Sequence, residues 1–296
     1  MSKLIMLIGL PACGKSTTAK RISLETGAII HSSDELRLEL FGDYNSFDKN
    51  AELFKELHSR ILSDLECEND CIYDATNLFM KRRKHFLSTI PKKVTKEALV
   101  IATTYEKCIE RDSIRDKNVG VQVIKKMREN FQYPLPTEGF DLIDVVYTDE
   151  SVKDLHETMK VMEKFKQDNP NHSLTLGKHC MKAKYLASSE SVEIRTTLFL
   201  HDLGKLYTKT YFDKKGEATD IAHYYNHHNV SAYEFMFYFK IDSFVNDNQY
   251  ICQLINYHMQ PYFIETEKSK KKWLAIWGEK MYNDIMIVNK YDRLAH

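Results

Sequence analysis

Two sets of residues in this 296-residue chain have the types and spacing to do chemistry, one on phosphate and one through a bound metal. The first is Gly9-Leu10-Pro11-Ala12-Cys13-Gly14-Lys15-Ser16. Glycines at these positions let backbone N–H groups turn inward on a polyphosphate. In this pattern the lysine reaches the β and γ phosphates of ATP or another NTP, and the serine hydroxyl sits on Mg²⁺. Gly9, Gly14, Lys15, Ser16 and Thr17 are the expected nucleotide contacts. Moving the phosphoryl group then needs a positioned acceptor, a base and surrounding cations. Asp34 is the candidate base, with capping of the next helix as its competing role. Arg37, one helical turn on, can hold a phosphate on the acceptor. Arg111 and Arg115, four apart, can close over the donor phosphates, and Asp74 can orient the Mg²⁺ shell or the acceptor.

The second set is histidine and aspartate: His179, the doublet His201-Asp202, the cluster His223, His227 and His228, then His258 and Asp292. Imidazole and carboxylate suit Mn, Fe, Ni, Co or Zn better than Ca. A His-Asp doublet at a helix end can put both side chains on one ion, with donors from other helices completing the shell.

These side chains need elements to hold them. Residues 4–8 read as a buried strand running into the glycine loop, and 17–25 as a helix whose N-terminus faces the phosphates. Further strands are expected at 28–31, 71–77, 99–102 and 142–147. Helices are expected at 48–66, from 81, from a Thr103-x-x-Glu106 capping box, and at 121–131. Strands alternating with helices imply a parallel sheet covered on both faces, an α/β P-loop NTPase core. The boundary is expected near Glu150, giving domains 1–150 and 151–296. Beyond it, 151–167 reads as helix and 168–171 as a break. Apolar periodicity then recurs around 174–186, 192–200, 230–239, 250–257 and 273–294, so this half is expected to be helical.

Composition excludes less than it permits. Lys+Arg 42 against Asp+Glu 42 gives bulk charge no say in favour of a nucleic-acid partner, which would need a local basic patch. The run 81–84 is either such a patch or a solvated helix face. Six cysteines without a paired framework fit a reduced, cytoplasmic compartment. The apolar start is too short to span a membrane, and no membrane partner is expected. Oligomeric state is open.

The first half resembles the 5′-hydroxyl polynucleotide kinases of phage and bacterial RNA repair. The likeness rests on the loop 9–16, Ser33-Asp34-Glu35-Leu36-Arg37, Asp74-Ala75-Thr76-Asn77-Leu78, and Arg111-Asp112-Ser113-Ile114-Arg115 with Val119 and Val123-Ile124-Lys125-Lys126-Met127. It implies catalytic roles for Lys15, Ser16, Asp34, Arg37 and Arg115. The second half looks like an all-α HD-domain metal phosphohydrolase, on the run Leu200-His201-Asp202-Leu203-Gly204-Lys205 and the order His…His-Asp…Asp. That likeness implies His179, His201, Asp202 and Asp292 as the basic ligand set, His227 and His258 for a second metal, and Lys205 beside the substrate phosphate. His172, His223 and His228 are left as substrate contacts or bystanders. The pairing resembles bifunctional end-healing enzymes acting on RNA or DNA ends, with the module order reversed. It implies phosphorylation of a 5′-OH, removal of a 2′,3′-cyclic phosphate, and a separate RNA ligase downstream. A small-molecule or nucleoside kinase joined to an HD nucleotidase is the alternative.

Overall fold

The computed structural model describes residues 2–44, 46–170, 172–239 and 246–296. The chain divides into two compact units, Met1–Met127 with Pro134–Glu150, and Arg128–Tyr133 with Ser151–His296.

In the first unit, β1 (Lys3–Ile8), β2 (Ile29–Ser32), β3 (Cys71–Asp74), β4 (Thr95–Ala102) and β5 (Leu142–Tyr147) form one sheet in the order β2-β3-β1-β4-β5. Every pairing is parallel. The central β1 is buried from Leu4 through Ile8, so both its faces are covered, which its unbroken apolar run requires. The connecting helices are α1 (Lys15–Thr26), α2 (Ser33–Phe41), α3 (Asn50–Glu66), α4 (Met80–Leu87), α5 (Tyr105–Ser113) and α6 (Val121–Arg128). On α3 the i, i+4 series Leu53, Leu57, Ile61 and Leu65 is wholly buried.

Parallel strands put their C-terminal ends on one rim. Ser32 pairs in register with Asp74, and the Gly9 N–H donates to Thr76 O at 3.1 Å. The glycine loop, Asp34 and Asp74 therefore share one edge of the sheet, the rim where such sheets bind ligands.

Two local expectations are corrected. The capping box at Thr103 does not form: the cap residue of α5 is Thr104, which makes no side-chain cap bond and instead donates to the Asp149 carboxylate. Thr103 Oγ1 donates to Cys13 O at 2.8 Å and so braces the glycine loop. The helix expected to run to 131 ends at Arg128, because the following segment is held by the second unit. There Arg128 Nη1 meets Glu234 Oε1 at 2.9 Å, and the Tyr133 N–H donates to Asn256 Oδ1 at 2.8 Å.

The second unit is built from α7 (Leu155–Lys164), α8 (Leu176–Leu186), α9 (Val192–Leu200), α10 (Lys205–Thr208), α11 (His227–Phe235), α12 (Asn246–Tyr257) and α13 (Glu267–Leu294). Its first helix starts later than 151 because Asp154 caps it, accepting from the N–H groups of His156 and Glu157. Asn171 of the expected break lies outside the described residues. An antiparallel hairpin, β6 (Lys209–Phe212) and β7 (Ala218–Tyr224), interrupts the helices. Its turn is fixed by Asp213, whose Oδ1 accepts from the N–H groups of Lys215 and Glu217.

Gly204 shows how closely the helical elements pack. A Cβ there would lie 2.1 Å from His227 O and 2.7 Å from Ser231 N. Its own N–H donates to Ser231 Oγ at 2.7 Å. Only glycine lets α11 approach the His201-Asp202 turn this closely.

Candidate functional sites

The glycine loop closes through left-handed backbone at Ala12 and Gly14, whose φ values are 58° and 98°. Lys15 is buried, its Nζ donating to Leu10 O at 2.7 Å and Gly9 O at 3.2 Å, so the charge is held within the loop. Ser16 Oγ donates to Asp74 Oδ2 at 2.7 Å. Burial raises the Asp74 carboxyl above its ordinary range, opposed by Lys15 and the Ser16 bond. A hydroxyl and a carboxylate at this separation are hard oxygen donors suited to Mg²⁺. Thr17 is exposed on the first turn of α1.

Ser32 caps α2, its Oγ accepting from the Glu35 N–H at 3.4 Å, which leaves the Asp34 carboxylate free of that duty. Arg37 Nη1 lies 3.7 Å from Asp34 Oδ1, and Lys117 Nζ lies 3.7 Å from Asp34 Oδ2. Arg37 is otherwise enclosed, with Nη2 donating to Asn50 Oδ1 at 2.6 Å and the guanidinium over the Phe47 ring. Arg111 is fixed at the loop's flank, donating to Thr148 O at 2.7 Å and Thr148 Oγ1 at 3.0 Å, while Thr148 Oγ1 donates to Cys13 O at 2.8 Å. Arg115 is turned instead to Asp112, with Nη2 at 2.7 Å from Oδ1. That same Asp112 carboxylate accepts from the N–H groups of Val119 and Gly120. The structure thus joins Lys15, Ser16, Asp74, Asp34 and Arg37 at one rim, and parks Arg115 on the loop that follows its helix. Lys117 carries no motif; its only sequence signal is a cation two residues past Arg115.

The second centre is organised around Asp202. Its Oδ2 lies 3.4 Å from His201 Nε2, 3.6 Å from His179 Nε2 and 2.7 Å from Lys205 Nζ. Its Oδ1 lies 3.0 Å from His227 Nε2 and 3.7 Å from His258 Nε2. Asp292 Oδ1 lies 3.0 Å from His179 Nε2 and 3.3 Å from His201 Nε2. The opposite nitrogens of three rings are committed to backbone: Nδ1 of His201, His227 and His258 each sits 2.8 Å from a carbonyl, of Leu198, Tyr224 and Ile255. Those bonds place a proton on each Nδ1, so that Nε2 is the nitrogen left for a metal once the ring is neutral, the arrangement that metal-ligating histidines use.

Electrostatics point the same way. Burial alone would raise the Asp202 and Asp292 carboxyls, yet His201 and Lys205 hold Asp202, and hydrogen bonds from His179 and His201 hold Asp292, well below the usual range. Burial would lower His201, but the two carboxylates push it up to about 10. Two buried carboxylates facing imidazoles form a site that calls for cationic charge. Three groups of donors here could hold a borderline divalent ion: His179, His201 and Asp202; His179, Asp292 and His296; and Asp202, His227 and His258.

His227, not His228, faces Asp202. Lys205 Nζ also donates to Gln167 Oε1 at 2.9 Å and lies 3.4 Å from His172 Nε2. His223 stacks on Tyr225. Sequence reasoning missed His296, which groups with His179 and Asp292 and lies 3.7 Å from Asp292 Oδ1. The signal for it was there, four residues after Asp292 on a helical pattern. It also missed Tyr262, whose O–H donates to Asp292 Oδ2 at 3.1 Å.

Residues 4–134 match the family model of an AAA domain, and residues 171–296 that of an HD domain. The chain thus joins a P-loop domain similar to the AAA model to a domain similar to the HD model, a pairing that marks it as an enzyme. Among solved structures, a chain of the Pnkp1/Rnl/Hen1 RNA repair complex is similar at 24% identity, over 47% of this chain and 46% of that one, with a TM-score of 0.40. A fungal RNA kinase is similar at 16% identity, over 54% of this chain and 42% of that one, with a TM-score of 0.37. A gluconokinase from Sinorhizobium meliloti 1021 is similar at 15% identity, over 52% and 86%, with a TM-score of 0.38. The chain spans less than half the length of the RNA-repair chain it matches. No curated protein matches.

Proposed function

We propose that this enzyme heals both ends of a broken RNA or DNA strand. Residues 1–150 would phosphorylate a 5′-OH with ATP. Residues 151–296 would hydrolyse a 2′,3′-cyclic phosphate, or a 2′- or 3′-phosphate. The observation that carries the reading is chemical complementarity on one chain: a phosphoryl-donor loop beside the base candidate Asp34, and a buried His/Asp centre whose donors could hold metal.

At the first site, Lys15 and Arg111 would neutralise the donor phosphates, with Ser16 and Asp74 holding Mg²⁺. Asp34 takes the proton as the acceptor oxygen bonds to phosphorus and the bond to ADP breaks. Arg37 and Lys117 fix the Asp34 carboxylate, and Arg115 swings from Asp112 onto the phosphates. At the second site, bound Mn, Ni, Co, Fe or Zn would supply an acidified water and Lewis acidity. Asp202 holds the ligand set together, and Lys205 meets the charge that grows on the phosphoryl oxygens. A cytoplasmic enzyme of this kind leaves a 5′-phosphate and a freed 3′ end for a separate RNA ligase.

The test offers γ-labelled ATP with a 5′-OH oligonucleotide or with free nucleosides. The reading expects label on the oligonucleotide. Label only on nucleosides replaces it with a nucleoside kinase joined to a nucleotidase.

A further inference from the structure

Beside the His/Asp centre, the second unit has a small pocket of about 70 Å³ that opens to solvent. Its walls include Phe263, Trp273, His228, Gln260, Gln132 and Asn256. Sequence neighbours tie it to the ligand set. His228 follows His227, Tyr257 and Met259 flank His258, and Phe263 follows Tyr262, whose O–H reaches Asp292. The floor is rigid. Asn256 Nδ2 donates to Asn229 Oδ1 at 2.9 Å, and Asn229 Nδ2 to Glu129 O at 2.7 Å. Trp273 is held by Trp277, with ring centroids 4.6 Å apart. At the rim, by contrast, Phe263 is 66% exposed. The side chains of His228 and Gln260 have no hydrogen-bond partner among the described residues. Such a slot, with aromatic surface and unused amide and imidazole groups, offers a planar heterocycle both stacking and edge contacts.

The charge around it is specific too. The first turns of α13, which present Trp273 to the pocket, carry Lys268, Lys270, Lys271 and Lys272, all exposed. Lys270 is 3.9 Å from Glu267, and Lys272 Nζ lies over the Trp273 ring. In a chain with no net charge, this concentration of cations beside an aromatic slot is local. It supplies the basic patch that bulk composition lacks.

We propose that the pocket seats a nucleobase of single-stranded polynucleotide beside the phosphate being hydrolysed, with the lysines of α13 on the adjoining backbone phosphates. The proposal rests on the reading of this unit as a phosphohydrolase of nucleic-acid ends, and names where the base and backbone beside the hydrolysed phosphate would be held. Recognition is by stacking and charge, so it tolerates any base.

The test titrates the full chain with a short single-stranded RNA carrying 2-aminopurine at its 3′ terminus. Stacking on Phe263 should quench the fluorophore, and Phe263→Ala should weaken binding by about fivefold or more. Lys268→Ala with Lys271→Ala should lower the slope of log affinity against log salt by about 1.4, at about 0.7 per lost contact. Phosphorylation of a 5′-OH oligonucleotide serves as the folding control and should not change. A Phe263→Ala titration equal to wild type, or a 3′-abasic strand competing as well as the intact one, would overturn the proposal. If the wild-type chain shows the quench but hydrolyses no phosphate end, the strand-binding pocket stands and the end-healing reading falls.

Discussion

Asp34 and Asp202 carry the same functional group into opposite work, and their surroundings decide which. Asp34 has a half-open carboxylate, 46% exposed, at a helix start capped by its neighbour Ser32, with two cations at salt-bridge distance. It can take a proton from an incoming hydroxyl and return it to water. Asp34→Asn should therefore lower kcat for 5′ phosphorylation by about 10²–10⁴-fold with KM for ATP unchanged. Steady-state kinetics showing an unchanged kcat would remove Asp34 from the reaction. Asp202 is buried and wrapped by four imidazoles and Lys205, so its charge is fixed for ligation. His227→Ala should reduce bound transition metal from about two ions per chain to about one, measured by elemental analysis. An unaltered content would mean that the His227–His258 half holds no ion. The His-Asp doublet is visible in sequence because its two residues are adjacent. Lys117 is hidden because it gains meaning only from Asp34, which folding brings near, whereas His296 could have been read from its i, i+4 spacing to Asp292.

At the scale of elements, Gly204 and α3 show two ways in which packing sets function. A methyl at Gly204 would drive into the His227 carbonyl, moving the helix that carries His227. Gly204→Ala should cost about 1–3 kcal/mol of stability and lower metal content together; an unchanged melting temperature with full metal would contradict the close approach. On α3, His58 stacks on Phe86 with centroids 4.0 Å apart and bonds Tyr73 Oη at 3.0 Å. Burial, helped by His85, lowers its pKa from 6.5 to about 4. Above pH 6.5 the ring is neutral folded or unfolded. As pH falls toward 4, the unfolded chain takes up the proton first and stability is lost. Urea midpoints for His58→Gln should fall less between those pH values than wild type; parallel curves would contradict the assignment. The five strands are readable from sequence because each is a short apolar run ending at a polar turn. The β6–β7 hairpin is not expected, because Thr210, Tyr211 and Phe212 occupy only one brief strand beside an Asp213–Gly216 turn. The end of α6 is hidden for another reason: its periodicity continues past Arg128, and only the buried Glu234 partner shows where the segment packs.

Across the whole molecule, the proposal puts two phosphate chemistries on one chain, and no helix among the described residues is long and apolar enough to cross a membrane. Each unit keeps its reacting groups on its own elements, so the activities should separate by mutation. The most direct measurement incubates one RNA bearing a 5′-OH and a 2′,3′-cyclic phosphate with ATP, Mg²⁺ and Mn²⁺, and reads both ends by mass spectrometry. The wild-type chain should add phosphate at the 5′ end and open or remove the cyclic phosphate. Lys15→Ala should lose only the first change, and Asp202→Ala only the second. An RNA recovered with both ends untouched, under conditions where the enzyme phosphorylates free nucleosides, would contradict the end-healing account.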